Sequence, residues 1–229
     1  MSDPSTIKMI LTGKAVPYTR RGSLSGISKL SRHEVTVTER GLVGDEQGDP
    51  RVHGGPEKAI HHYPFDHYSA WARELGSLAL LEAPGAFGEN LSTLGWTEET
   101  VCLGDCFKVG TVTLQISQGR MPCWKLNDRF AVKDMSLRVQ QSGRTGWYYR
   151  VLEGGTMVTG DRIELVERRY PAWSVTRVAS VLFSSTLNNE HIEECLGLPL
   201  TDSWRRTLEK RLEKSQIEDW SPRLEGPQA

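Results

Sequence analysis

The stretch Thr111-Val112-Thr113-Leu114-Gln115-Ile116-Ser117 alternates polar and apolar residues with a period of two, the pattern of a strand with one face buried and one face wet. A strand of this kind needs neighbours for its backbone groups. Shorter runs of similar character stand around it at Val35–Thr38, Val101–Leu103, Phe107–Val109, Thr156–Val158 and Ile163–Val166, separated by Gly-Asp and Gly-Gly turn signals at 104–105, 154–155 and 160–161. Many short strands joined this way predict a barrel or a folded sheet. Two helices interrupt them. Tyr68, Trp71, Ala72 and Leu75 fall at helical spacing with Gly76 at the position of a C-terminal cap, and a second helix is predicted over 134–141, closed by Gly143.

After Arg168-Arg169-Tyr170-Pro171 the texture changes to helical segments without strand-like alternation, so a boundary is placed there. The first begins near Ser174 with Val178, Val181 and Leu182 on one face. The second covers 188–196 and stops at Gly197 and Pro199. The third begins at Thr201 or Ser203 and aligns Trp204, Leu208 and Leu212. Such short helices need one another to bury their apolar stripes. The expected division is therefore a β-rich domain over 1–170, a three-helix domain over 171–216, and a frayed, flexible tail over 217–229.

The 229 residues carry 28 Lys and Arg against 29 Asp and Glu, a formal net charge of −1. That balance creates no global field to draw in a nucleic acid polymer or an anionic membrane, so any anion site has to be local. The N-terminal residues lack the basic start and apolar run of a signal peptide, and no segment approaches the roughly 20 apolar residues of a membrane span. A cytoplasmic location is expected. Cys102, Cys106, Cys123 and Cys195 are too few and too irregularly spaced for a disulfide scaffold or paired metal knuckles, and are read as reduced.

Chemistry concentrates in two places. Residues 41–63 pack glycines, histidines and a lysine into one loop. Gly54 and Gly55 let backbone approach a ligand, while Arg51, His53 and Lys58 supply charge for a phosphate. Neither a Walker A loop nor a Rossmann fingerprint is present, and taken alone the same glycines fit plain turns. His53 and His61 lack a third ligand at a spacing that suits zinc. The second place is Arg120-Met121-Pro122-Cys123-Trp124, directly after the clear strand, where a loop presents side chains to a pocket. Arg120 favours a thiolate at Cys123, a soft ligand for a transition metal; the competing reading is an inert buried cysteine. Cys102 and Cys106 flank a Gly-Asp turn and could face each other across a hairpin, although structural thiols are the simpler reading, and Cys195 looks like core. Gly85–Leu91 and Ser142–Tyr148 are two further glycine-bearing loops, whose Asn90, Arg144 and Thr145 suit a flat polar heterocycle as well as they suit turns.

Together and in this order, Gly41-Leu-x-Gly-Asp45, His53-Gly-Gly-x-x-Lys58 with Tyr63, Gly85-x-Phe-Gly-Glu-Asn-Leu91 and Arg120-x-Pro-Cys123 resemble the MOSC family, named for the C-terminal domain of molybdenum-cofactor sulfurases. The resemblance spans roughly 30 to 165, and the helices of about 174 to 215 resemble those of its YiiM-type members. It implies a mostly β (α+β) fold, a MOSC-type β-barrel with a few helices and a small C-terminal three-helix domain. It also implies binding of molybdenum cofactor, a phosphorylated pterin dithiolene carrying molybdenum, with Cys123 as the metal or sulfur ligand.

By similarity to molybdenum reductases of this superfamily, the implied reaction is reduction of N-hydroxylated compounds, hydroxylaminopurine-like bases among them, to amines. This is a detoxifying oxidoreduction independent of pyridoxal phosphate. In that reading Cys123, Asp45 and Asn90 are catalytic, with Asp45, Asn90 or His53 aiding proton delivery. His53, Gly54, Gly55, Lys58, Arg120, Arg144 and Thr145 hold the cofactor. No flavin, haem or Fe–S signature is visible, so electrons come from a separate partner such as a flavin reductase. Arg205, Arg206, Lys210 and Arg211 offer an acidic partner a docking face, and a homodimer is compatible with the sequence. Two alternatives stand beside this one. One is a carrier that passes cofactor or sulfur to other enzymes; the absence of a desulfurase domain favours the reductase over it. The other is a helix-turn-helix reader of DNA, against which the core-facing Trp204, Leu208 and Leu212 count.

Overall fold

The structure, a computed structural model, describes residues 5–20, 22–49 and 54–226. Its strands are Ser5–Thr6 (β1), Met9–Thr12 (β2), Val16–Pro17 (β3), Leu24–Ser25 (β4), Leu30–Arg32 (β5), Glu34–Thr38 (β6), Gly41–Leu42 (β7), Ile60–His62 (β8), Leu91–Ser92 (β9), Cys106–Val109 (β10), Val112–Gly119 (β11), Trp147–Glu153 (β12), Gly155–Val158 (β13) and Arg162–Glu167 (β14). Nine of them form one curled half-barrel sheet in the order β1-β14-β10-β11-β12-β8-β9-β2-β5, in which only β8 and β9 pair parallel. β13-β6-β7 and β3-β4 form smaller sheets. Among the described residues seven α-helices accompany the strands: Tyr68–Leu75 (α1), Lys125–Phe130 (α2), Met135–Ser142 (α3), Val175–Phe183 (α4), Asn189–Leu196 (α5), Asp202–Lys214 (α6) and Ser221–Glu225 (α7). Among the described residues no helix is long and apolar enough to cross a membrane.

The alternating stretch is β11. Val112, Leu114 and Ile116 enter the core while Thr113 and Gln115 stay half-exposed, and Val109 pairs with Val112 so that Gly110-Thr111 closes a two-residue hairpin with β10. Alternation ends where the register with β12 slips between Ile116 and Gln118. Beyond that bulge Ser117, Gln118 and Gly119 are all buried, and a bulge of this kind bends a strand and re-aims the residues after it. Here those residues lead into the Cys123 loop.

The helices begin and end close to where their caps stand. Ser174 accepts the Arg177 N–H at 3.1 Å and Asn188 accepts the His191 N–H at 3.1 Å. α4, α5 and α6 do not form a separate core. Val178, Leu182, Ile192, Trp204 and Leu208 join one apolar cluster with Leu114, Ile116, Trp147 and Ile163 of the sheet.

Two expectations require correction, while the reading of Cys102 and Cys106 as reduced thiols holds. Val101–Leu103 is not a strand: the Cys102 N–H is taken at 2.8 Å by the buried carboxylate of Asp105, leaving only an isolated bridge to Ser174. Cys102 and Cys106 are free and bond separately, to the backbone oxygens of Pro171 and Gly104. The tail does not fray from 217. Its residues up to 226 fold against α2 and α3, where the Trp124 N–H donates to Arg223 O at 2.9 Å and both Asn127 Nδ2 and Ser136 Oγ donate to Leu224 O at 2.8 Å. In addition, 147–148 begin a strand rather than complete a loop, and α2 had no counterpart in the sequence pattern.

Because the helices and sheet share one core, Trp204→Ala is expected to cost about 3–5 kcal/mol in a single denaturant transition that reports both regions together. A separate, earlier loss of helix signal would contradict this packing.

Candidate functional site

The loop leaving β11 is fixed at its first residue, where the Arg120 N–H donates to Gly146 O at 2.9 Å. Gly146 has φ +70°, and a Cβ there would lie 2.3 Å from His62 O, so this segment meets β8 at a distance only glycine allows. Its N–H is held in turn by the buried Glu98 carboxylate at 2.5 Å, which also meets His67 Nε2 at 2.7 Å. Three residues on, Cys123 is 7% exposed, and its carbonyl accepts the Leu126 N–H as α2 begins.

Cys123 faces a solvent-open cleft of about 590 Å³ whose wall includes Ile27, Lys29, Asp45, Glu46, Lys58, His61, Phe87, Asn90, Arg120, Lys125 and Tyr148. Four of these are cations and two are carboxylates, and both carboxylates are already engaged. Asp45 pairs with Lys29 and also accepts from the Gly13 N–H at 2.8 Å and from Asn90 Nδ2 at 2.9 Å; Glu46 pairs with Lys14 at 2.7 Å. The cleft therefore presents net positive charge. Burial lowers the Lys29 pKa against the opposing effect of Asp45, and lowers that of Lys58, with the charge of Arg223 adding to it. Burial, then the nearby Arg120 charge, holds His61 well below the usual histidine range, so the ring is neutral at pH 7. Arg120 Nη1 and His61 Nε2 are buried without a hydrogen-bond partner, an expensive state for polar groups unless a ligand completes it.

The structure brings Cys123, Asp45, Asn90, Lys58 and Arg120 of the expected residues to this cleft and leaves others outside it. Asn90 is spent on structure: it accepts the His61 N–H at 3.0 Å and donates to Leu11 O and to Asp45. Asp45 likewise acts as the seat of Lys29. Arg144 does not line this cleft: its guanidinium stacks 3.6 Å over Trp71 and pairs with Glu74 at 2.8 Å, with Nη1 buried and unpartnered. Thr145 is fully buried, donating to Gly146 O behind the loop. Gly54 borders a second groove with Glu57, Gln118, Arg150 and Arg206, which shares Lys58 with the Cys123 cleft, and Gly55 is exposed. His53 and Arg51 lie outside the described residues. Lys29, Lys125 and Tyr148 were not anticipated. Lys29 has no local signature, since its partner Asp45 is 16 residues away.

A profile of the MOSC domain matches residues 49–164, and one of the YiiM-like 3-alpha helix domain matches 173–215. The chain belongs to the MOSC family. This MOSC protein is 41% identical over 219 residues to Protein YiiM of Escherichia coli (strain K12), covering 95% of this chain and 97% of that one. It is 36% identical over 212 residues, 91% of its own length, to a protein named Reductase from Gibberella moniliformis, of which it matches 38%. The crystal structure of YiiM from Escherichia coli superposes with a TM-score of 0.81 at 35% identity, covering 96% of this chain and 99% of that one. Residues beyond 215 lie outside both matched segments.

The MOSC core carries a pH dependence of its own. His62 is fully buried between Tyr149 Oη and Thr93 Oγ1, and burial pushes its pKa down to about 3. The unfolded chain therefore takes up protons first as pH falls. Stability due to neutral His62 is complete above about pH 6.5 and is lost as the pH falls towards 3, and burial of neutral His61 acts in the same direction. Denaturation midpoints should fall more steeply between about pH 6.5 and 5 in the parent than in His62→Gln, a comparison that cancels the opposing effect of buried Glu89, whose carboxyl pKa is pushed up by burial; equal slopes would contradict the burial of that ring.

Proposed function

We propose that this protein binds molybdenum cofactor with Cys123 as the metal ligand and reduces N-hydroxylated compounds to amines. The observation that carries the reading is a loop cysteine at the mouth of a cationic cleft in which a buried arginine nitrogen, Arg120 Nη1, has no partner. The donor set fits the cofactor. A thiol suits a soft metal, and unpartnered positive donors suit the phosphate of a pterin tail. Among the described residues no three His, Cys, Asp or Glu side chains converge as a metal site, which suits a metal that brings most of its ligands with it. A relative named Reductase supports a redox role.

The overall change is R–NH–OH + 2 e⁻ + 2 H⁺ → R–NH₂ + H₂O. When bound, the cofactor supplies the two electrons, and a separate donor, by our reading a flavin reductase, restores them. The chain's own residues bind, orient and deliver protons. Lys58 and Arg120 hold the anionic end, and Phe87 and Ile27 give the cleft an apolar wall for a flat base. His61 is neutral and therefore a poor acid, and Lys125 Nζ is tied to Leu24 O at 2.6 Å. Lys29, its pKa lowered by burial and its amine seated on Asp45, is the group suited to protonate the departing oxygen.

Protein made with molybdate in a cofactor-competent host should contain molybdenum and pterin and should reduce a hydroxylaminopurine with a chemical donor. Cys123→Ala should abolish turnover. Cofactor bound without turnover in the parent would support a carrier instead, and no molybdenum and no pterin in the parent would overturn the proposal.

A further inference from the structure

Ser25, Gly26 and Ile27, at the outgoing end of the β3–β4 hairpin, line the same cleft as Cys123 and as Lys125, the first residue of α2. Two bonds join hairpin and helix there: Lys125 Nζ donates to Leu24 O at 2.6 Å, and Lys125 O accepts from Tyr18 Oη at 3.0 Å. The base of the hairpin is fitted closely as well. A Cβ on Gly26 would lie 2.0 Å from Glu46 O, and one on Gly48 would lie 2.0 Å from Leu24 O. The spacing between hairpin and α2 therefore bounds the space in front of Cys123.

At the tip of the hairpin Arg20 fixes that spacing. Its guanidinium stacks 4.3 Å over Trp124, the residue next to Cys123, while Nε and Nη2 fork onto the Asp128 carboxylate of α2 at 3.2 Å each. Thr19 Oγ1 donates to the same carboxylate. The remaining nitrogen, Nη1, donates to Glu225 O at 2.7 Å. Trp124 itself meets the C-terminal segment, since its N–H donates to Arg223 O and a Cβ on Gly226 would lie 2.4 Å from its indole. One guanidinium thus uses its face and all three nitrogens on partners up to 205 residues away. A lysine, a point charge without fork or stacking plane, cannot make this junction. With side chains 22% and 18% exposed, Arg20 and Asp128 are better shielded from solvent than an ordinary surface pair.

We infer that Arg20 is a positioning residue for Cys123: by locking the hairpin, α2 and the C-terminal segment together at Trp124, it fixes the width of the cleft and so the size of ligand that reaches the thiol. Slender molecules enter the locked cleft, and bulky ones enter only when the lock opens locally. The inference goes beyond the proposed reduction and concerns access alone, with or without a metal.

Alkylation of the cofactor-free full chain, followed at each cysteine by peptide mass spectrometry, tests it. All four thiols are free and buried, so Cys102, Cys106 and Cys195 report global unfolding while Cys123 reports the lock. Arg20→Gln should raise the Cys123 rate with N-pyrenylmaleimide about tenfold to a hundredfold, raise it less with the slimmer N-ethylmaleimide, and leave the other three thiols at their parent rates. Asp128→Asn removes the charge from the α2 side and should act in the same direction, with the double variant little faster than Arg20→Gln. Arg20→Lys should not restore the parent rate. If Arg20 merely stabilises the fold, all four thiols speed up together. Such a uniform rise, an unchanged Cys123 rate, or equal rises with both reagents would overturn the inference. A parent that binds no metal and reduces nothing would reject the proposed function and leave this inference standing.

Discussion

Positive charge buried around a thiol, with too few carboxylates to neutralise it, is the condition on which the rest of the molecule depends. Desolvated cations repel one another and lose their water, so the fold has to hold each in place from behind. Asp45 does this for Lys29, and Asp45 is itself held by Asn90 and the Gly13 N–H. Trp220 and Gln140 do it for Arg223, and the phenol of Tyr148 lies beside Arg120. These supports come from stretches far apart in sequence, which is why the cleft needs a curled sheet and a folded tail.

The sheet supplies the geometry. A bulge at the end of β11 turns the chain out of the ladder with Ser117, Gln118 and Gly119 still buried, and the close meeting with Gly146 sets the angle at which Arg120 and Cys123 leave. The helices stabilise that turn from the other side, since Trp204 lies 3.4 Å from the position a Cβ would take on Gly119. Packing and chemistry meet at this strand end. A change in the shared core would be transmitted to the loop, because well-packed interiors do not absorb displacement locally.

Much of this was legible in the sequence, and the misses have physical causes. The period-two run of Thr111–Ser117 shows because one face of β11 is half wet, and the caps Ser174, Asn188, Gly76 and Gly143 show because helix ends need particular backbone and side-chain chemistry. α2 escaped notice because it buries Lys125 and Asn127 along with Leu126 and Phe130, which erases its amphipathic pattern. The start of β12 was taken as part of a loop because Gly143 and Gly146 precede it and aromatic rings occupy both of its faces. Cys123, Lys58 and Arg120 were found through a joint motif. Arg144 belonged to the same kind of loop, but only the fold shows Trp71 beneath it. Lys29 and Arg223 had no motif at all. A lysine in Ser-Lys-Leu reads as surface, and the Pro- and Gly-containing tail reads as frayed because its anchors are backbone carbonyls, which leave no trace in composition.

The most direct test of metal ligation by Cys123 is X-ray absorption at the molybdenum edge of the protein loaded in a cofactor-competent host, compared with Cys123→Ser loaded in the same way. Ligation predicts molybdenum in both, with one sulfur fewer in the metal's shell in the variant. An unchanged sulfur shell would contradict it and would leave the cationic cleft as an anion site without a metal bond to the chain.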